Sequence, residues 1–428
     1  MDFDVSDTLK QFLHDLDRFI EAEITPLQQS DDNERFFDHR REYERTDWEN
    51  GGLPKKDWEA LLDEARERAD RAGFFRYGWP EELGGRNGSQ LDMAIIREHL
   101  AAKGLGLFND LQNEHSVVAN NPFVVMFKAF ATPDQFARDN EALLTGDMRV
   151  CFGLTEPEHG SDATFMETRA ERQTRDGKRG WLINGEKMWT TGMHVATHVM
   201  TFARTSGEDG DARGITCFIV PADAPGVTEE EYLWTFNMPT DHPRVSFKDV
   251  WVPEDAYWGE PEMGLAIAQS FVHQNRIRQA ASSLGAAVYC LNESVAYARA
   301  RKPFGKPLAV NQAIQFPLVE IATQIEMLRL LIRKTAWDMD RMDHKQIERE
   351  LSDKVSMCNY WANRLVCETA DQAMQVHGGI GYSRHKPFEH IYRHHRRYRI
   401  TEGSEEIQMR KIAGYLFGFT GPKKTPAR

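Results

Sequence analysis

The side chains best placed to do chemistry lie in five short segments. CFGLTEPEHGSDA (Cys151–Ala163) leaves a strand-like run and enters a turn that carries Thr155 and Ser161. Hydroxyls and turn amides can hold a polar ring or a carbonyl, although Ser and Asp favour turns in any case. INGEKMWTTG (Ile183–Gly192) reads as a second strand with a hairpin-like Asn-Gly at its start. Trp189 there can wall a planar ligand or fill a core, and Thr191 supplies a hydroxyl. RKPFGKPLAVNQAIQF (Arg301–Phe316) joins two helical patterns and offers Arg301 either as a phosphate partner or as a solvated helix end. QVHGGIGYS (Gln375–Ser383) has the glycines of a phosphate loop but follows a helical stripe, not a strand, so a Rossmann fingerprint is rejected. ITEGSEEIQ (Ile400–Gln408) sets Glu402 before a glycine at a break between helices. A carboxylate on such a loop is a general base if its pocket is desolvated. It also reads as a surface carboxylate in an acidic cluster with Glu405 and Glu406.

The remaining polar clusters point to less. HIYRHHRRYRI (His390–Ile400) is basic, and His390 and His394 stand at i,i+4. Two ligands do not complete a metal site, so no metal is expected and the helix reads as solvated or subunit-facing. Cys151, Cys217, Cys290, Cys358 and Cys367 contain no CxxC pair and read as reduced thiols. The chain carries 53 basic against 66 acidic residues, a net charge of −13. That balance argues against broad nucleic-acid or anionic-membrane binding, which needs a basic surface. No signal or transit pattern and no apolar run of about 20 residues is visible, so a cytoplasmic location without integral membrane contact is expected.

Three blocks must position these segments. Residues 1–147 read as an α-helical domain: Leu9, Phe12, Leu13, Leu16 and Ile20 form one helix stripe, with Pro26 ending it or lying just beyond it, and a second helix covers Asp57–Ala72. Within this block, 28–53 is densely charged with little periodicity and reads as a surface insertion. Residues 148–259 carry five β-rich runs, VCFGLTE, GWLINGEKMWTT, HVMTFART, ITCFIVPA and RVSFKDVWVP, as expected of an antiparallel sandwich or barrel. Residues 260–428 return to long helical stripes, Leu318–Ile332 and Val355–Ala373, of bundle type, with Gly378 and Gly379 stopping the second.

Taken together and in this order, LTEPEHGSD, NGEKMWTTG, RKPFGKPLAVNQAIQF, QVHGGIGY and ITEGSEEIQ resemble the signature series of the acyl-CoA dehydrogenase family. The resemblance implies an α+β multidomain fold: an N-terminal helical domain, a central antiparallel β-domain and a C-terminal four-helix bundle. It implies an FAD-dependent flavoprotein oxidoreductase that converts an acyl-CoA thioester to a trans-2-enoyl-CoA, as in β-oxidation and fatty acid metabolism. It also implies a homotetramer that passes electrons to an electron-transferring flavoprotein. By motif position, Glu402 matches the catalytic base. Phe152, Leu154, Thr155, Ser161, Trp189 and Thr191 match flavin contacts, with Thr191 near flavin N5. Arg301, Phe304, Gln312, Gln375, Gly378 and Gly379 match contacts to a neighbouring subunit's FAD, and Ser404 and Glu406 match further FAD contacts. Ser161, Arg276, Glu402 and Gly403 match substrate contacts, Arg276 on the CoA side. Some branches of the family carry the base at the position of Asn275, which cannot act as a carboxylate. Thr401 replaces the common Tyr, and Glu406 stands where Gln is common. An acyl-CoA oxidase or other flavin oxidase or monooxygenase on this fold, and a DNA-binding flavoprotein scaffold, are the alternatives. The net charge weighs against the last.

Overall fold

The Ser6 hydroxyl accepts from the Leu9 N–H at 3.2 Å and starts helix α1, Asp7–Phe19, which buries Leu9, Phe12 and Leu16. Pro26 lies beyond α1, the second of the two placements expected for it. A π turn over Ile20–Ile24 intervenes, and Pro26 falls in the first turn of the short helix Thr25–Gln29, where its missing N–H costs nothing. Helix α2 is Lys56–Arg71, and α3, Gln90–Ala102, opens on a capping box between Ser89 and Asp92. Helices α4, Pro122–Phe130, and α5, Pro133–Thr145, follow. Seven strands come next: β1 Val150–Gly153, β2 Arg169–Arg175, β3 Lys178–Met188, β4 His198–Arg204, β5 Ile215–Pro221, β6 Val227–Tyr232 and β7 Pro243–Pro253. The chain then returns to helices: α6 Gly264–Ala300, α7 Gln312–Met339, α8 Ser352–His377, α9 Phe388–Arg397 and α10 Glu405–Leu416. This computed structural model describes residues 4–109, 116–119 and 122–421.

The chain forms two units. The first comprises 1–45, 55–120 and 273–428. Its largest core lies among α6, α7, α8 and α9, where Ala280, Ala281, Leu284 and Ala287 of α6 meet Ile321, Leu328, Val355, Leu365 and Ile391. Small residues on α6 permit close approach: a Cβ at Gly285 would stand 2.3 Å from the Glu98 carbonyl of α3. A second core is built from α1, α2 and α3 around Leu16, Trp58 and Ile96.

Two segments of this unit depart from the sequence expectation. The stretch from residue 28 was expected at the surface, yet Phe36, Glu42 and Arg45 are buried. Arg35 pairs with Glu44 and Asp57, Arg41 with Asp32 and Glu44, and Arg45 lies over the Trp58 ring. The histidine-rich helix α9 was expected to be solvated or subunit-facing. Instead His390, His394 and His395 are all fully buried. They share its inward stripe with Ile391, and partners sustain them: Ser283 for His395, the Tyr398 hydroxyl for His394 and Glu42 for His390.

The second unit comprises 46–54 and 121–272. Its sheet runs β1-β4-β2-β3-β7-β6, with β5 also on β4. The ladders are antiparallel except that β1 runs parallel to β4 and β2 meets β4 in parallel at Arg169 and Arg204. Sequence reading missed β2 and β6, because RAERQTR and VTEEEY are charged and largely exposed. Asn184-Gly185 is not a hairpin turn. It sits inside β3 at a bulge, where Gly185 has φ 147° and an added Cβ would lie 2.4 Å from the Thr168 hydroxyl. The actual β2–β3 turn is Asp176-Gly177, with both residues at positive φ. Helices α4 and α5 pack in this unit, with Phe127 and Trp258 in the shared core.

Candidate functional site

In the second unit the predicted flavin-side residues gather at one end of the sheet. The Met188 N–H donates to the Thr155 carbonyl at 2.8 Å, joining the segment after β1 to the end of β3. Beyond Met188, Trp189 adopts φ 63° and stays 46% exposed, an uncommon conformation for a bulky residue. Thr191 and Ser161 are exposed, and Thr155 is half-buried. Phe152 is engaged in packing: its ring stacks on Phe271 with centroids 4.3 Å apart, and Leu154 borders the same cluster. The exposed indole and hydroxyls form a polar rim with one aromatic wall, a chemistry that fits a planar flavin ring.

A buried ion pair fastens this end, and sequence reading did not single it out. Lys187 Nζ donates to Glu156 Oε1 at 2.7 Å and to the Leu154 carbonyl at 3.3 Å. Both side chains are nearly inaccessible. Glu156 also accepts from the Glu167 and Thr168 N–H groups. Burial pushes Lys187 down to about 8, against the opposing pull of Glu156. For Glu156, burial raises the carboxyl, but Lys187 and the hydrogen bonds outweigh it and hold it below its usual value. The pair thus ties the Thr155 loop to the strand that presents Trp189. The strand itself, KRGWLINGEKM, carries several other polar residues, so Lys187 gave no distinct sequence signal. His242, whose Nδ1 lies 2.9 Å from Thr191 Oγ1, carried no sequence signal.

In the first unit, Glu402 occupies the loop between α9 and α10 with φ 57°, followed by Gly403 at φ 86°. Ser404 accepts from the Ile407 N–H and caps α10. Arg276 reaches across from α6 and donates to the Glu402 carbonyl through Nε at 3.0 Å and Nη2 at 2.7 Å, and to Ser356 Oγ at 3.1 Å. Burial lowers this guanidinium to about 10, with Glu402 and Glu348 opposing. Two of its donors therefore hold the loop, and the third ties the guanidinium to α8. Asn275 Nδ2 lies 3.3 Å from Glu402 Oε1, so the two positions at which the resemblance would place a base meet in space. Glu405 is not part of a surface cluster: it is buried between Arg364 and Arg399, while Glu406 is exposed.

The other predicted residues of this unit share one end of the bundle. A small apolar cluster of Ala298, Leu318 and Val376, with Leu308 and Ile314, ties the ends of α6, α7 and α8 together. Around it Arg301, Phe304, Gln312 and Gln375 are exposed, Phe304 with φ 55°. Gly378 has φ 63°, and a Cβ on Gly378 or Gly379 would meet nothing within 4 Å. Open backbone at Gly378 and Gly379 fits the close approach of a polar group such as a pyrophosphate.

His39, Glu42 and His390 place ligand-type atoms within 4.8 Å of one another. Glu42 is already committed, however. It takes His390 Nδ1 at 3.0 Å, Arg393 Nη2 at 2.6 Å and Arg384 Nη1 at 3.2 Å. Burial pulls Glu42 up, but His39, His390 and Arg393 overcome that and hold it far below the carboxylate range. Two guanidiniums on one carboxylate favour an ion-pair network over a further cation.

Residues 151–250 match the model of the acyl-CoA dehydrogenase middle domain, and 262–417 match that of the C-terminal domain. The short-chain specific acyl-CoA dehydrogenase of Bos taurus mitochondria is 33% identical over 347 residues, covering 80% of each chain. The caffeyl-CoA reductase-Etf complex subunit CarC of Acetobacterium woodii is 30% identical over 369 residues, covering 83% of this chain and 93% of its own. The crystal structure of an acyl-CoA dehydrogenase from Geobacillus kaustophilus superposes with a TM-score of 0.77 over 97% of this chain and 100% of that one, at 23% identity, and so supports the fold alone. The chain belongs to the acyl-CoA dehydrogenase family and is an oxidoreductase of that kind.

Proposed function

We propose that the protein binds FAD and oxidises the Cα–Cβ bond of an acyl-CoA to the trans-2-enoyl-CoA, with Glu402 as base. The observation that carries this reading is the hold on Glu402: its carbonyl is fixed by Arg276 and its carboxylate lies against Asn275. Arg276 and Gly403 keep the loop in a left-handed conformation, so the carboxylate stays in one position and its own backbone N–H is preorganised. In the reaction Glu402 accepts the α-proton on a carboxylate oxygen, and its backbone N–H donates to the thioester carbonyl oxygen as negative charge develops there. Bound FAD supplies the acceptor for the β-hydride. Thr155, Ser161, Trp189 and Thr191 hold the ring, while Arg301, Phe304, Gln312, Gln375, Gly378 and Gly379 serve the cofactor of a neighbouring copy, with Ser404 and Glu406 as further contacts.

A homo-oligomer, in the tetrameric form of the family, follows from that second set. The first unit's exposed apolar side chains Phe304, Phe316, Val319 and Met327 support it. The Etf-complex relative supports an electron-transferring flavoprotein as the electron partner. No helix among the described residues is long and apolar enough to cross a membrane. That relative's name also favours one second reading: the same residues run in reverse, reducing an enoyl-CoA, with direction set by the electron partner. The test is an anaerobic screen of the FAD-loaded protein against a panel of acyl-CoAs and enoyl-CoAs. Bleaching of the oxidised flavin by a saturated acyl-CoA supports the proposal. Reoxidation of the reduced flavin by enoyl-CoAs alone supports the reverse reading. Failure to take up FAD refutes both.

A further inference from the structure

The hydroxyl of Thr191 is not independent. The segment Trp189–Gly192 is stitched to residues 240–243: the Thr190 N–H donates to the Pro243 carbonyl at 3.3 Å and the Gly192 N–H to the Asp241 carbonyl at 2.9 Å. Between these two backbone bonds, His242 Nδ1 lies 2.9 Å from Thr191 Oγ1 and 3.0 Å from Asp241 Oδ1. The Trp189 and His242 rings stand edge to face at 6.4 Å. His242 and Asp241 are mostly shielded, whereas Thr191 is exposed.

This crowding selects one arrangement of protons. A carboxylate is an acceptor only, and an imidazole nitrogen without a proton is also an acceptor. Of the two neutral tautomers, the Asp241 carboxylate 3.0 Å away favours the one with the proton on Nδ1. Thr191 Oγ1 is then the acceptor from that same N–H. Its own hydrogen must point away from His242, to the open side of the segment.

We infer that His242, oriented by Asp241, is a positioning residue that fixes the Thr191 hydroxyl as a hydrogen-bond donor toward the flavin. This rests on the reading that Thr191 lies near flavin N5. A fixed donor favours the oxidised ring, whose N5 accepts, over the reduced ring, whose N5 carries hydrogen. It also polarises N5 for hydride arrival without reorganisation of the hydroxyl. His242 therefore holds the flavin less oxidising than it would otherwise be, yet speeds its reduction.

The test uses the FAD-loaded wild type with His242→Leu, His242→Asn and Thr191→Val. Histidine ring 15N NMR, on the apo and loaded wild type, reads the proton on Nδ1 directly, with His242→Asn assigning the signal. In His242→Leu the oxidised–reduced equilibrium shifts about tenfold toward reduced flavin, ~30 mV more positive for a two-electron couple. Reduction by a bleaching acyl-CoA slows by about tenfold. His242→Asn, which restores a donor near the Nδ1 position, falls closer to wild type than to His242→Leu. Thr191→Val shifts both quantities in the same directions, and adding His242→Leu to it changes them no further, because the two act as one chain. A residue that only supports the fold would instead lower FAD retention and add to Thr191→Val. An unprotonated Nδ1, a wild-type potential in His242→Leu, or additivity overturns the inference. A wild type that takes up no FAD overturns the functional reading itself, and the apo NMR result then still judges the proton arrangement.

Discussion

Replacing Lys187 by Met removes one charge from a pair that solvent hardly reaches and keeps the length of the side chain. Glu156 then has two backbone donors, from Glu167 and Thr168, and no cation. Breaking a buried pair from one side costs about 3–5 kcal/mol. The converse variant, Glu156→Gln, strands the lysine. Even with Glu156 present, burial depresses Lys187 to about 8, so without it Lys187 is neutral at neutral pH. From an unfolded value near 10.4, keeping it neutral at pH 7 costs roughly 4–5 kcal/mol, at ~1.36 kcal/mol per unit. The two variants differ in the sign of their pH dependence. In Glu156→Gln the unfolded chain binds the extra proton, so stability rises with pH between about 7 and 9 by up to ~1.4 kcal/mol per unit. In Lys187→Met the folded state holds the proton on Glu156 more tightly than the unfolded chain does. Stability therefore falls as pH rises from about 5 to 7, by at most the same slope. Urea unfolding of the apo protein at several pH values, followed by tryptophan fluorescence, measures both. The double variant should cost at least about 2 kcal/mol less than the sum of the singles. Losses below about 1 kcal/mol for each single variant, or equal pH slopes for the two, would refute the assignment of this pair as a buried clamp.

Three further outcomes follow from particular residues. Glu42→Ala leaves Arg393 with Glu389 as its remaining carboxylate and His390 Nδ1 without its partner; the expected cost is about 3 kcal/mol in urea unfolding, against under about 1 kcal/mol for the exposed control Arg40→Ala. Gly378→Ala meets no neighbour but forces an L-residue into φ 63°, ψ −139°, at about 1–3 kcal/mol of backbone strain; FAD retention on gel filtration should fall while the helical circular dichroism persists. All five cysteines are buried, and burial raises Cys151 and Cys358 to about 12 and Cys367 to about 11; a thiol reagent at pH 8 should label none of them until urea unfolds the chain.

The breaks in regular structure at the candidate site were legible because their residues carry strong local signals. A glutamate before glycine, a tryptophan between strand and threonines, and a glycine pair after a helical stripe each announce a break in regular structure. What was not legible depends on distance in sequence. The charges of Glu42 read as surface until Arg384, His390 and Arg393 arrive from more than 300 residues away. Likewise, α9 reads as solvated because three of its histidines look polar, although their partners make them interior groups. Strands β2 and β6 escaped detection because a solvent-facing strand lacks the apolar alternation on which pattern reading depends. Asn184-Gly185 misled because the same glycine freedom serves a bulge and a turn alike. Lys187 and Glu156 lie inside motifs that were recognised, but their partnership across 31 residues is a property of the folded sheet.

The claim on which the account turns is that Glu402 takes the α-proton. Glu402→Gln keeps the size and the backbone N–H, and the amide retains hydrogen-bonding capacity toward Asn275. The direct measurement is anaerobic stopped-flow of flavin reduction by an acyl-CoA that bleaches the wild type, with substrate affinity taken from the concentration dependence. The expected result is unchanged FAD content, near-normal affinity and a reduction rate lower by at least ~10²-fold. Flavin reduction at close to the wild-type rate, with affinity preserved, would place the base elsewhere and contradict the central claim.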